Sequence, residues 1–203
     1  MKKCIVIGGG DFTVTDRLLK KISDTDYIIC CDSGYLHALS LGIKPHLIVG
    51  DFDSMQKPET DVETIVLPCE KDDTDSFFAV KTALSRGYDR FLLLGMTGGR
   101  FDHTLGAISI LEFLELNGAE GEICDGKLTI RLTKTQLEID PDCRYFSVFA
   151  QSLAEGVTIT GAKYNLDNAV IESSYQYGVS NEPCGTPQVS VKQGKLLITE
   201  IYE

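Results

Sequence analysis

Residues 46–54 read HLIVGDFDS. A short apolar run stops at Gly50, and two aspartates one residue apart follow it, the pattern of a buried strand that ends in charge. A carboxylate at the end of a buried strand is costly unless a cation or a proton meets it. The same form recurs along the first half of the chain. KCIVIGGG (3–10) ends in three glycines, YIICCDSG (27–34) ends in an acid and a glycine, TIVLP (64–68) leads into KDDTD (71–75), and RFLLLGM (90–96) leads into TGGRFDH. Helical signals lie between them. Residues 12–23 read as a weak helix, and YLHALSLGI (35–43) as a short one closed by Gly42. Residues 74–86 place Phe77, Phe78, Val80, Lys81 and Leu84 at helical spacing, with Thr74 as N-cap and Gly87 past the end. TLGAISILEFLELNG (104–118) is a largely apolar helix. This alternation predicts a mostly parallel sheet with helices on both faces.

From about residue 122 the pattern changes. KLTIRLT, YFSVFAQ, GVTITG, AVIESS, QVSVKQ and KLLITEIY are short, β-rich and separated by turn residues. They predict a small all-β sandwich or roll. The expected fold class is therefore α/β plus all-β, an α/β domain over 1–122 followed by a β-sandwich domain over 123–203.

The 203 residues, 43% hydrophobic and 24% charged, suit a soluble globular protein. The apolar run at the N-terminus is too short for a membrane span and has no signal-peptide cleavage pattern after it, so a cytoplasmic location is expected. Seven cysteines, odd in number and without a C-x-x-C pair, support neither a zinc ribbon nor a disulfide framework. A net charge of −11 disfavours nucleic acid and anionic membranes as partners.

In an open parallel sheet, ligands bind beyond the carboxyl ends of the strands. Asp32, Asp51, Asp53, the KDDTD acids and Asp102 all fall there. Carboxylates crowded on one edge repel unless a cation sits among them. A hard divalent ion, Mg²⁺, fits a site that also takes phosphate oxygens. In extended backbone Asp51 and Asp53 point the same way, with Phe52 opposite. Taken singly, each acid has a plainer role: Asp102 or Asp73 as a helix cap, Asp32 in a turn. GGGD (8–11) either offers backbone N–H groups to a phosphate or makes a tight turn. Arg100 is the best-placed cation for phosphate. His103 either serves a phosphate or caps a helix.

CDSG (31–34), GDFDS (50–54), KDDTD (71–75) and GGRFDH (98–103) occur in the order and spacing of the thiamin pyrophosphokinase family, and YNLDNAVIESSYQYGVSNE (164–182) resembles its second-domain segment. The resemblance spans essentially the whole chain. It implies an enzyme that transfers the diphosphoryl group of ATP to the hydroxyl of thiamin, giving thiamin diphosphate and AMP with Mg²⁺. It also implies a homodimer with active sites at the subunit interface. Carried over by motif, Asp51, Asp53 and Asp75 are expected as metal ligands and, with Asp102, as the catalytic acids. Asp32, Lys71, Asp72, Thr74, Arg100, Asp102 and His103 are expected along the nucleotide. Ser180 and Asn181 are expected at thiamin, across the dimer interface. One departure stands out: Pro183 follows Ser-Asn-Glu where the family usually has an aromatic residue.

Two other readings share some of these residues. A haloacid-dehalogenase-like phosphatase also has Asp-x-Asp after a strand, with Asp51 as nucleophile, but expects threonine or valine where Met55 stands. A non-catalytic nucleotide- or metal-binding module is the other.

Overall fold

A computed structural model describes residues 1–53 and 56–202; Ser54, the last residue of GDFDS, and Met55, which bears on the phosphatase reading, lie outside the described residues. The chain divides into two units, Met1–Gly126 and Lys127–Glu203.

The apolar runs of the first unit become strands β1 (Lys3–Ile7), β2 (Tyr27–Cys31), β3 (Leu47–Gly50), β4 (Glu63–Val66) and β5 (Arg90–Leu94). A sixth, β6 (Glu120–Cys124), was not expected. EGEIC carries two glutamates and a glycine and has no apolar run to mark it. Its pairing with β5 supplies the strand, since tertiary context outweighs a weak local preference. All six strands pair in parallel, in the order β6-β5-β1-β2-β3-β4. The chain steps outward from β1 to β4 and then returns to the far side of β1. After β1 and after β5 the chain therefore runs to opposite sides, which makes the boundary between these two strands the sheet's switch point, where open α/β sheets place their ligands.

Helices cover both faces. Ile5, Ile7, Cys30, Leu92 and Cys124 form one core layer with Leu18 of α1 (Asp16–Leu19) and Ala38 of α2 (Gly34–Ser40). Residues of the opposite parity face the other helices, α3 (Asp75–Ser85) and α4 (Phe101–Leu116). A side chain at Gly121 would meet Leu111 and Leu114 of α4 at 2.9 and 2.6 Å, so the glycine lets that helix sit close on β6. Thr74 caps α3, its Oγ1 accepting the Phe77 N–H at 3.3 Å. Gly87 follows the helix at φ +82°, a left-handed position that suits glycine. Helix α1 is shorter than the 12–23 stretch suggests, and α4 begins three residues before Thr104.

The second unit is all β and contains no helix among its described residues. One sheet has the order β12 (Gly178–Asn181), β9 (Tyr145–Ala150), β14 (Leu196–Ile201), β7 (Leu128–Thr133). The other has β11 (Leu166–Ile171), β10 (Ala154–Ala162), β13 (Pro183–Ser190), β8 (Gln136–Glu138). Phe146, Val148, Leu196 and Ile198 of the first sheet share one buried core with Val157, Ile159, Ile171 and Val189 of the second, which makes a sandwich. Strands β8 and β12 carry too little apolar alternation to be read from sequence. No helix among the described residues is long and apolar enough to cross a membrane.

Candidate active site

Asp32, Asp51 and Asp75 meet at the carboxyl edge of the parallel sheet. Each offers an oxygen, and the three oxygens lie within 4.8 Å of one another. Strand placement explains the meeting: Asp32 follows β2, Asp51 follows β3, and Asp75 opens α3. A side chain at Gly50 would lie 1.9 Å from Asp32 Oδ1, so only glycine there leaves room for that carboxylate. Asp32 itself sits at φ +44° and Phe52 at φ +55°, both left-handed. Asp32 Oδ1 accepts the Phe52 N–H at 3.3 Å, tying the end of β2 to the turn after β3.

Phe52 corrects one expectation. The alternation that would aim Asp51 and Asp53 the same way requires extended backbone, and the chain has already left the strand. Asp53 stands outside the trio, and its N–H donates to Asp51 Oδ1 at 3.2 Å. Asp32, expected along the nucleotide and among the acids of this edge, takes the third corner.

Lys71 is the cation of the site. Its Nζ lies 2.6 Å from Asp51 Oδ2 and 2.7 Å from Asp75 Oδ1. Asp75 Oδ1 is buried, and its close partner is the Lys71 ammonium, with which it forms an ion pair. Lys71, with Asp53's N–H behind it, holds the Asp51 carboxyl below the usual carboxylate range. Burial opposes the Lys71 charge, but Asp51 and Asp75 outweigh it and hold the amine above the usual lysine range. Asp32 behaves in the opposite way. Burial, then the Asp75 side chain beside it, pushes its carboxyl up to about 7. Three carboxylates against one ammonium leave the pocket short of positive charge, and a hard, oxygen-seeking cation suits such a donor set.

Around the trio the remaining motif residues are looser. Asp72 and Thr74 are exposed, and Asp73 pairs with Lys81. Arg100 and Asp102 form an exposed pair, with guanidinium nitrogens 3.1 and 2.6 Å from the two carboxylate oxygens. That pairing raises the Arg100 pKa and lowers that of Asp102. Arg100 occupies the N-cap position of α4 without a side-chain cap, and the Asp102 carboxylate accepts the His103 N–H at 3.1 Å. The Gly8 and Gly10 N–H groups donate to Leu94 and Gly95 carbonyls, each at 2.8 Å. Two of the three glycine N–H groups in GGGD thus join the β1 and β5 loops together.

In the second unit, Ser180 and Asn181 differ sharply. Ser180 is exposed, stands at φ +58°, and donates its N–H to Ser147 Oγ at 3.0 Å. Asn181 is 5% exposed, and both its amide oxygen and its amide nitrogen bond to backbone. Oδ1 accepts the N–H groups of Tyr164 at 3.0 Å and Glu182 at 2.9 Å, while Nδ2 donates to the Tyr164 carbonyl at 2.7 Å. It borders a cavity of about 470 Å³ whose lining includes Tyr164, Leu166, Tyr177 and Val179. Tyr175 and Tyr177 lie together, ring centroids 6.0 Å apart, and both are exposed. Pro183, at the place of the family's usual aromatic residue, opens β13.

Comparison with known proteins agrees along the chain. Residues 18–120 match the family model "Thiamin pyrophosphokinase, catalytic domain", and 129–196 match "Thiamin pyrophosphokinase, vitamin B1 binding domain". The chain belongs to the thiamin pyrophosphokinase family. It is 31% identical over 193 residues to a thiamine pyrophosphokinase of Bacillus subtilis, covering 90% of each chain. A crystal structure of the Bacillus subtilis thiamine pyrophosphokinase superposes with a TM-score of 0.89 at 26% identity, covering both chains fully. One from Geobacillus thermodenitrificans gives 0.85 at 27% identity, covering 100% of this chain and 98% of that one. Both thiamin pyrophosphokinase structures share the two-part architecture. Within it, Gly50 was missed by sequence reasoning as a residue of the site. Its only signal was its place between an apolar run and an acid.

Proposed function

We propose that this chain transfers the diphosphoryl group of ATP to the hydroxyl of thiamin, giving thiamin diphosphate and AMP. The observation that carries the reading is the Asp32–Asp51–Asp75 trio on the carboxyl edge of the parallel sheet, in a chain matched along its length to this family. The thiamin hydroxyl oxygen forms a bond to the β-phosphorus of ATP. The bond between that phosphorus and the oxygen bridging to the α-phosphate breaks, and AMP leaves with that oxygen. Such transfer depends on positioning and on neutralising phosphate charge more than on covalent chemistry by the protein.

Asp51 and Asp75, with Asp32 or Asp53 as the further acid, are the residues to hold Mg²⁺. The donor set fits it, being all oxygen with one buried carboxylate oxygen lacking a hydrogen bond. Mg²⁺ supplies Lewis-acid neutralisation of phosphate charge when bound. Lys71, Asp72, Thr74, Arg100 and His103 line the nucleotide phosphates. Asp102 or Asp53, whichever is left uncoordinated, accepts the proton of the thiamin hydroxyl. The first unit is the nucleotide domain, and the second, with Ser180 and Asn181, serves thiamin and dimerisation in a cytoplasmic homodimer. Incubation with ATP, Mg²⁺ and thiamin tests this reading, following AMP and thiamin diphosphate together. AMP release no greater than in a thiamin-free control overturns it.

A further inference from the structure

We infer that Lys71 is a built-in placeholder cation, which occupies the metal-binding oxygens and yields them when a divalent ion arrives together with phosphate. The inference rests on the reading of the acidic edge as the Mg²⁺ site.

Asp51 Oδ1 accepts the Asp53 N–H at 3.2 Å, and Lys71 Nζ holds Oδ2, the Asp51 oxygen without that backbone bond, at 2.6 Å. Asp75 Oδ1 has no hydrogen bond, and the same ammonium stands 2.7 Å from it. One amine therefore covers one oxygen of each of two of the three acids. An ammonium and a divalent ion sharing those two oxygens would lie within a few ångströms of each other, and like charges so close in a half-buried pocket repel strongly. Lys71 must move for the ion to enter.

The chain is built to let it move. Lys71 lies on irregular backbone four residues ahead of Asp75, where α3 begins, so no helix fixes its direction. Its ammonium sits on a flexible four-carbon stem with three rotatable donors. The side chains of Lys71, Asp51 and Asp75 are 15%, 12% and 15% exposed, so the pair is shielded enough to matter yet open to exchange. Once displaced, Lys71 needs a new anion, and a phosphate oxygen is the nearest chemistry that supplies one. Bare divalent ion is thus disfavoured, because its entry strands an ammonium. Ion delivered with a polyphosphate is favoured, because Lys71 then exchanges a carboxylate for a phosphate.

The test measures Mn²⁺ binding to the full-length protein without nucleotide, by electron paramagnetic resonance of free Mn²⁺, in wild type, Lys71→Met, Lys71→Gln and Lys71→Arg. Lys71→Met and Lys71→Gln are expected to bind Mn²⁺ about tenfold tighter than wild type, and Lys71→Arg, which keeps the charge, about as weakly as wild type. Thermal melts without divalent ion should show the two neutral variants less stable than wild type, with a larger rise on adding Mn²⁺. Should Lys71→Met fail to fold, Lys71→Gln carries the comparison, since it keeps a donor for the carboxylates without the charge. Equal or weaker Mn²⁺ binding by the neutral variants overturns the placeholder role while leaving the metal site in place. Absence of Mn²⁺ binding in every variant, even with a non-hydrolysable ATP analogue present, overturns the metal site itself.

Discussion

The two units hold their key polar side chains by different means. At the sheet edge of the first, Asp51 and Asp75 are held by an opposite charge on a movable stem. In the second, Asn181 is held by three hydrogen bonds to backbone, which fix its amide in place. Charge pairing in a half-open pocket can be exchanged for another charge. An amide buried among backbone partners cannot be exchanged without loosening the turn it clamps. The first arrangement suits chemistry and the second suits shape. Asn181 on this view is a positioning residue that sets Tyr164 beside the cavity, and Ser180 is the residue left free to face a ligand.

That contrast can be broken at either end. The largest effect is expected from Asp51→Asn, which should lower turnover by on the order of 10² or more while the far-ultraviolet circular dichroism stays that of wild type. Asp53→Asn, outside the trio, should also lower turnover but by less. Equal losses in the two variants would show that Asp53 shares the metal. Next, Asn181→Ala should cost about 2 kcal/mol or more in urea unfolding, because it strands buried backbone groups. Ser180→Ala should leave unfolding nearly unchanged and raise KM for thiamin. A Ser180→Ala variant as unstable as Asn181→Ala would remove the distinction between them.

A smaller effect separates Asp32 from its neighbours. Burial and the Asp75 side chain push its carboxyl up to about 7 in the folded chain, against about 4 when unfolded, so the native state holds the extra proton between those values. Stability from this group is complete below about pH 4 and is lost as pH rises through 7. Without divalent ion, Asp32→Asn should therefore melt a few degrees above wild type at pH 8, with the gap closing towards pH 4.5. The smallest effect is expected at the exposed Arg100–Asp102 pair. Arg100→Ala should leave the melting temperature unchanged and raise KM for ATP.

Much of this was legible from residue order alone. Each apolar run that stops at an acid or a glycine became a strand of the parallel sheet, and Thr74 capped its helix as its position implies. What was hidden depends on backbone direction or on partners. Nothing local announces that Phe52 turns left-handed, yet that turn ends the alternation that would aim Asp51 and Asp53 the same way, and it is Asp32 that lies beside Asp51 and Asp75. Strand β6 owes its form to pairing with β5, and β8 and β12 to neighbours in the sandwich. The ion pairs of Lys71 join residues four and twenty positions apart, and only the folded edge shows that they share one ammonium.

Gly50 carries a consequence for reading variation in this protein. It has no functional group and holds no ligand, yet a single methyl there would collide with the Asp32 carboxylate. In a saturation screen for growth without supplied thiamin diphosphate, position 50 should tolerate substitution as poorly as Asp51. An observer scoring the screen blind would count it among the chemical residues, although its whole contribution is the space it leaves vacant.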